Sequence, residues 1–94
     1  MLYVLMCEDK PDSQPLRLAT RQSHLAYAGD HAGMIKLAGP MLSDDGETML
    51  GSLFIIEAED RAQVQAMHDD DPYTLAGLWA NVMIRPFRQA IPRD

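Results

Sequence analysis

The stretch Leu53-Phe54-Ile55-Ile56 lies at the centre of an apolar run that extends from Met49 to Ala58. Successive side chains of a β-strand point to opposite faces of the sheet, so a strand with one wet face alternates apolar and polar residues. This stretch does not alternate, because all four side chains are apolar. It is therefore predicted to be a strand of a sheet that is apolar on both faces.

Two other segments of strand length share this property. They run from Leu2 to Cys7 and from Trp79 to Phe87, and Pro86 with the polar tail is expected to terminate the second. A further strand is predicted from Met34 to Met41, closed by Gly39-Pro40. The polar residues 43–48 connect it to the 49–58 strand in a hairpin-like arrangement.

Two helices are predicted between these strands. The first runs from Leu16 to about Gly29, with Ser13 as the candidate N-cap. The second starts at Glu59 or Asp60, and Asp60 with Gln63 fits a relaxed capping box. Asp71-Pro72 then begins a short turn of helix to about Gly77, because proline is well tolerated at the first helical position.

The predicted element order is β-α-β-β-α-β within one domain of 94 residues. This order is typical of the ferredoxin-like α+β fold, in which a four-stranded antiparallel sheet carries both helices on one face. The other apolar face would then form an unusually large exposed patch. About seven residues follow Phe87, too few to cover it, so we expect a homodimer or a higher oligomer.

Charge and composition narrow the possible partners. Eight basic and fourteen acidic residues give a net charge of −6, and 47% of the residues are hydrophobic. Nucleic acids and anionic membranes bind basic surfaces, so neither is an expected partner. The first residues carry no basic stretch, and no apolar run approaches the roughly 20 residues that span a bilayer. Together with Cys7, the single cysteine, this predicts a reducing, cytoplasmic location.

No strong catalytic motif occurs, and the three histidines do not have the spacing of metal ligands, so we expect neither a metal nor an organic cofactor. The first helix does carry Arg17, Arg21 and His24 on one stripe. The apolar residues Leu18 and Leu25 are predicted to hold His24 at the edge of the core. There its imidazole would titrate near neutrality and could act as base or acid.

Asp71 is the expected partner of His24, because both helices lie on the same face of this fold and a carboxylate would orient the imidazole. Simpler interpretations remain open. The arginines fit solvated residues of an amphipathic helix, His24 fits a packing residue, and Asp71 fits an N-cap that has no other role.

Short segments in order along nearly the whole chain resemble the YCII-related domain family, a branch of the dimeric α/β-barrel proteins. The matching segments are Tyr3-Val4, Arg21-x-x-His24-Leu25, Ala38-Gly39-Pro40, Gly51-Ser52, Asp71-Pro72-Tyr73 and Pro86-Phe87. The resemblance implies a ferredoxin-like dimer with one cleft in each subunit. It also implies His24 and Asp71 as the catalytic pair. Some relatives are dehydrochlorinases that act on chlorinated hydroxyquinols.

The residues around this pair are expected to bind a small-molecule substrate. Arg21 is one turn from His24 and suits an anionic group, Gly39 and Pro40 shape the cleft, and Ser52 and Tyr73 contribute contacts. The leading hypothesis is a small cofactor-independent enzyme that performs elimination or isomerisation on an oxygenated or aromatic compound. The alternatives are a non-catalytic module that binds a metabolite and a subunit that works through protein contacts.

Overall fold

In the computed structural model, residues 1–92 are described and form the predicted order of elements; residues 93 and 94 of the expected 1–94 domain lie outside this range. The elements are β1 (Leu2–Asp9), α1 (Gln14–Asp30), β2 (Ile35–Leu42), β3 (Met49–Glu57), α2 (Arg61–Asp69), α3 (Pro72–Leu75) and β4 (Trp79–Phe87). The strand order is β2-β3-β1-β4, and every neighbouring pair is antiparallel. The ferredoxin-like α+β fold is confirmed.

The core lies between one face of the sheet and the helices. Alternate side chains of β1, those of Tyr3, Leu5 and Cys7, are buried. Their partners across the sheet, Phe54 and Ile56 among them, point to the same side. Val64 and Met67 of α2 complete this cluster, and Tyr27 of α1 packs against it.

The predicted bounds of the last strand, Trp79 to Phe87, are confirmed, but neither Pro40 nor Pro86 ends its strand. Pro40 pairs with Ser52 inside β2, and Pro86 pairs with Tyr3 inside β4. Both strands lie at the edges of the sheet. An edge strand tolerates proline, because the missing N–H can fall on the side that needs no hydrogen bond.

The two predicted caps at Asp60 and Asp71 are confirmed. The Asp60 carboxylate accepts a hydrogen bond from Gln63 N, and the Gln63 side chain accepts one from Glu59 N at 2.8 Å. The Asp71 carboxylate accepts from Tyr73 N and so caps α3. Ser13 occupies the N-cap position of α1, but its side chain makes no capping bond.

The buried side of α1 differs from the prediction. Leu18 and Leu25 are 55% and 50% exposed, whereas Arg17 and His24 are the buried residues of this helix. The helix therefore turns Arg17 and His24 inward, toward the sheet, while Arg21 of the same stripe stays exposed. Among the described residues, no helix is both long and apolar enough to cross a membrane.

Candidate functional site

A cavity of about 300 Å³ lies between α1 and the β2–β3 half of the sheet. Its volume is at the lower end of the range for small-molecule sites and suits a compound with a single ring. A larger groove of about 720 Å³ lies where β1 and β4 approach the end of the chain. The described residues that line this groove include no cluster of buried polar side chains, so the smaller cavity is the candidate site.

His24 and Asp71 meet beside this cavity, although 47 residues separate them in the chain. His24 Nδ1 lies 2.9 Å from Asp71 Oδ1 and 3.0 Å from Oδ2. Both residues are buried, with exposed fractions of 9% and 5%. Asp71 Oδ1 also accepts the hydrogen bond from Tyr73 N at 2.9 Å. One carboxylate therefore caps α3 and orients the imidazole.

Aromatic rings fix the plane of the His24 imidazole. The Tyr73 ring stacks on it at 4.1 Å between centroids, and Phe54 meets it edge-on at 6.0 Å. Within residues 1–92, His24 Nε2 has no hydrogen-bond partner in the protein. Every fully buried side-chain nitrogen or oxygen in this range has such a partner, so Nε2 is not fully buried. Since His24 lines the cavity, Nε2 is accessible there. The ring can thus take or give a proton at Nε2 while Asp71 holds Nδ1.

Arg17 is 2% exposed, so its interpretation as a solvated residue is wrong. Its Nε and Nη2 donate to the two oxygens of Asp9 at 2.7 and 2.9 Å, and Nη2 also donates to Ser52 Oγ at 2.9 Å. The guanidinium carbon lies 4.7 Å from the Tyr73 ring centroid and 5.6 Å from that of Trp79. Arg17 therefore ties α1 to β1, β3 and α3.

Burial disfavours the charge of Arg17, but the hydrogen bonds and charge of Asp9 outweigh it, so the pKa of the guanidinium is raised. The resulting pair is a buried, bidentate ion pair. Sequence reasoning missed Asp9 altogether and left Arg17 undecided. The available signal was the seven-residue spacing of Arg17 and His24, which places them on the same side of α1.

Two other titratable groups are held in their neutral forms. Burial raises the pKa of the Cys7 thiol to about 12, with a further contribution from the Asp71 charge. Burial also raises the pKa of Tyr73, although the charges of Arg17 and Arg21 oppose this shift. Cys7 is fully buried, as expected for a small core residue, and as a neutral thiol it is a poor nucleophile.

The structure brings the predicted site residues together around one cavity. Its lining includes Arg21, His24, Gly39, Pro40, Ser52 and Tyr73. Asp71 lies behind His24, outside the lining. Trp79 does not line the cavity but packs beside Arg17, and its indole N–H donates to Thr74 Oγ1 at 2.9 Å. The described residues contain no group of three His, Cys, Asp or Glu side chains placed to hold a metal ion.

Comparison with known proteins places the chain among similar domains. The family model described as "YCII-related domain" matches residues 1–88. Protein YciI of Escherichia coli is 38% identical over 96 residues, which covers 95% of this chain and 98% of that protein.

Two solved structures are also similar. The 5-chloro-2-hydroxyhydroquinone dehydrochlorinase TftG from Burkholderia phenoliruptrix, in complex with 2,5-dihydroxybenzoquinone, matches with a TM-score of 0.90 and 32% identity, and all of each chain is covered. A Mycobacterium tuberculosis protein matches with a TM-score of 0.50 at 12% identity, covering 95% of this chain and 96% of its own; it supports the fold alone.

Proposed function

This chain belongs to the family of YCII-related domains, and from that membership we propose that it is a small cofactor-independent enzyme of lyase-like, proton-transfer chemistry. Its substrate would be a small oxygenated or aromatic compound, and elimination or isomerisation is the proposed reaction. The observation that carries this proposal is the His24–Asp71 contact, which leaves Nε2 accessible to the cavity.

The proposed roles follow from the geometry. His24 Nε2 would be the general base or acid, because it is the ring nitrogen that a ligand can reach. Asp71 would hold the proton on Nδ1 and stabilise the imidazolium that forms when Nε2 takes a proton. The similar dehydrochlorinase acts on a chlorinated, hydroxylated ring, which supports a compound of that class as the first substrate to test.

Turnover and binding measured on the same variants test this proposal. The ligands are 5-chloro-2-hydroxyhydroquinone and a panel of hydroxylated aromatics, with release of chloride or change in absorbance as the signal. We expect His24→Ala and Asp71→Asn to lower kcat about 10²- to 10⁴-fold, the usual contribution of acid–base catalysis. Both variants should still bind 2,5-dihydroxybenzoquinone.

The matched control is His31→Ala, which removes a histidine outside the cavity lining and should leave kcat unchanged. Equal turnover in the wild type and in both site variants would contradict the assigned pair. If the wild type binds these compounds but converts none of them, the protein is a metabolite-binding module instead.

We further propose that a second copy covers the open face of the sheet. Side chains on this face alternate with the buried ones and are mostly apolar; Leu37, Met83 and Phe87 are 63%, 38% and 43% exposed, and Asn81 and Arg85 are the polar residues of β4 on this face. The helices pack on the opposite face and leave this one uncovered. An identical sheet is the partner that matches its shape and its apolar character.

A further inference from the structure

Among the described residues, the Ser52 hydroxyl has one hydrogen-bond donor that no protein group accepts. Its hydroxyl oxygen accepts from Arg17 Nη2 at 2.9 Å, and the side chain is buried, with 3% of the residue exposed. Among the described residues, its O–H hydrogen finds no acceptor. Because Ser52 lines the cavity, a ligand oxygen there is the acceptor that this hydrogen can reach.

Arg17 presents a second donor of the same kind. Three of its N–H groups are used by Asp9 and Ser52. The Tyr73 side chain lies beside the guanidinium and interacts with it, but Nη1 makes no hydrogen bond of standard geometry in the part of the chain that the structure describes. Every fully buried side-chain nitrogen in that part has a hydrogen-bond partner, so Nη1 is accessible. Arg17 also lines the cavity. A guanidinium carries no acceptor, so Nη1 can only donate to a ligand.

We propose that Ser52 and Arg17 form an oxyanion site in this cavity, which binds a negatively charged oxygen of the ligand, such as a phenolate or an enolate. The inference rests on the proposed function and deepens it. His24 would exchange the proton, while Ser52 and Arg17 would stabilise the negative charge that remains on the ring oxygen.

The charges around the site favour this division of roles. Asp9 balances the charge of Arg17, so the guanidinium acts as a fixed donor that a ligand cannot pull out of place. Its hydrogen bond to Ser52 Oγ polarises the hydroxyl and strengthens the donor that faces the cavity. Arg21 adds a positive charge at the same lining, whereas the carboxylate of Asp71 is occupied by His24 and Tyr73 N.

A chromogenic phenol tests the site, because its absorbance reports whether the bound ring oxygen is ionised. The probes are 4-nitrophenol and 4-nitrocatechol, titrated with pH in the presence of saturating protein. In the wild type we expect the pKa of the bound phenol to lie below its value in water. Ser52→Ala should raise the pKa of the bound phenol by about one unit, a tenfold change in ionisation, because one hydrogen bond to a charged oxygen is lost.

Three further variants make the result specific. Ser52→Thr keeps a hydroxyl and should keep most of the wild-type shift. Ser23→Ala removes the same group from an exposed position of α1 and should change nothing. His24→Ala should lose turnover but keep the lowered pKa of the bound phenol, since charge stabilisation and proton transfer reside in different residues. Thermal unfolding of each variant checks that the fold is retained.

The possible failures are distinguishable. If the phenols bind and the pKa of the bound phenol is the same in Ser52→Ala as in the wild type, the oxyanion site is wrong while the proposed function stands. If neither phenol binds the wild type, the proposed function fails and the oxyanion site fails with it.

Discussion

The Asp71 carboxylate makes two kinds of contact, and a sequence pattern cannot show which of them accounts for the aspartate. Its carboxylate caps α3 through Tyr73 N and contacts His24 Nδ1 with the same pair of oxygens. An N-cap position is a sufficient reason for an aspartate before Pro72. Only the approach of α1 adds the second role, because it places the imidazole within hydrogen-bond distance of an oxygen that is already fixed in place.

Arg17 should contribute to stability through its buried ion pair with Asp9. Arg17→Met would leave the Asp9 carboxylate buried without its counter-charge, and breaking such a pair typically costs about 3–5 kcal/mol. Removing both charges, in Arg17→Met with Asp9→Leu, should recover much of that loss, because the remaining groups are then apolar. Urea unfolding measures each free energy of unfolding.

The control for Arg17 is Arg21→Met, which removes an exposed arginine of the same helix. It should change the free energy of unfolding by no more than about 0.5 kcal/mol. If the losses in the free energy of unfolding of Arg17→Met and Asp9→Leu add in the double variant, the two residues are not coupled. That result would contradict a stabilising role for their ion pair.

In helix α2, His68 makes stability depend on pH. Burial lowers the pKa of His68 below its ordinary value of 6.5, although the charges of Asp69 and Asp71 oppose this. Between the lowered pKa and 6.5, the unfolded chain binds the proton and the folded chain does not. Stability from this group is therefore present above pH 6.5 and is lost as the pH falls toward the lower, folded-state pKa.

Thermal unfolding across this range should show the effect. We expect the Tm of the wild type to decline as the pH falls below about 6.5, and His68→Gln to remove part of the decline. His31→Gln serves as the matched control, since His31 is not buried, and it should retain the wild-type dependence. Parallel Tm profiles of the wild type and His68→Gln would refute this role for His68.

In strand β3, Gly51 permits a close approach that no other residue allows. A Cβ at this position would overlap the carbonyl oxygen of Cys7 and lie 2.7 Å from Met41 Cε. Gly51→Ala should therefore lower the free energy of unfolding by about 1–3 kcal/mol, the usual range for overpacking. Gly39→Ala, where a Cβ meets nothing within 4 Å, should cost little stability, and similar losses in the two variants would contradict this explanation.

For the molecule as a whole, the open face of the sheet predicts assembly. Sedimentation or light scattering at micromolar concentration should give about twice the chain mass of 10.5 kDa. Met6 lies in the central strand β1 on this face, between Leu53 and Met83, so Met6→Asp would bury an unpaired charge in the interface and should yield a monomer. A wild-type protein that is a stable monomer would overturn the proposal.

The matched control for assembly lies on the other side of the molecule. Leu18→Asp also replaces an apolar residue by a charge, but its side chain is exposed on α1, in the helix layer. It should remain in the assembled state. Dissociation by Leu18→Asp and not by Met6→Asp would place the interface on the helices and not on the sheet.

Local sequence was enough to predict the order of elements, the ferredoxin-like fold and the side-chain caps at Asp60 and Asp71. These features depend on short-range spacing: alternation along strands, proline and glycine at turns, and Asp60 or Asp71 at the start of a helix. The family resemblance added the pairing of His24 with Asp71, which spacing alone left open beside simpler interpretations.

Tertiary contacts, by contrast, determine which side of α1 is buried. Arg17 can enter the core because Asp9 and Ser52, 8 and 35 residues away in the chain, supply its hydrogen bonds there. Leu18 and Leu25 remain exposed as a consequence, although their hydrophobicity favours burial. Local sequence indicates how unfavourable the burial of each side chain is in isolation. The free energy of burial changes once hydrogen-bond and charge partners from other elements satisfy the charged group.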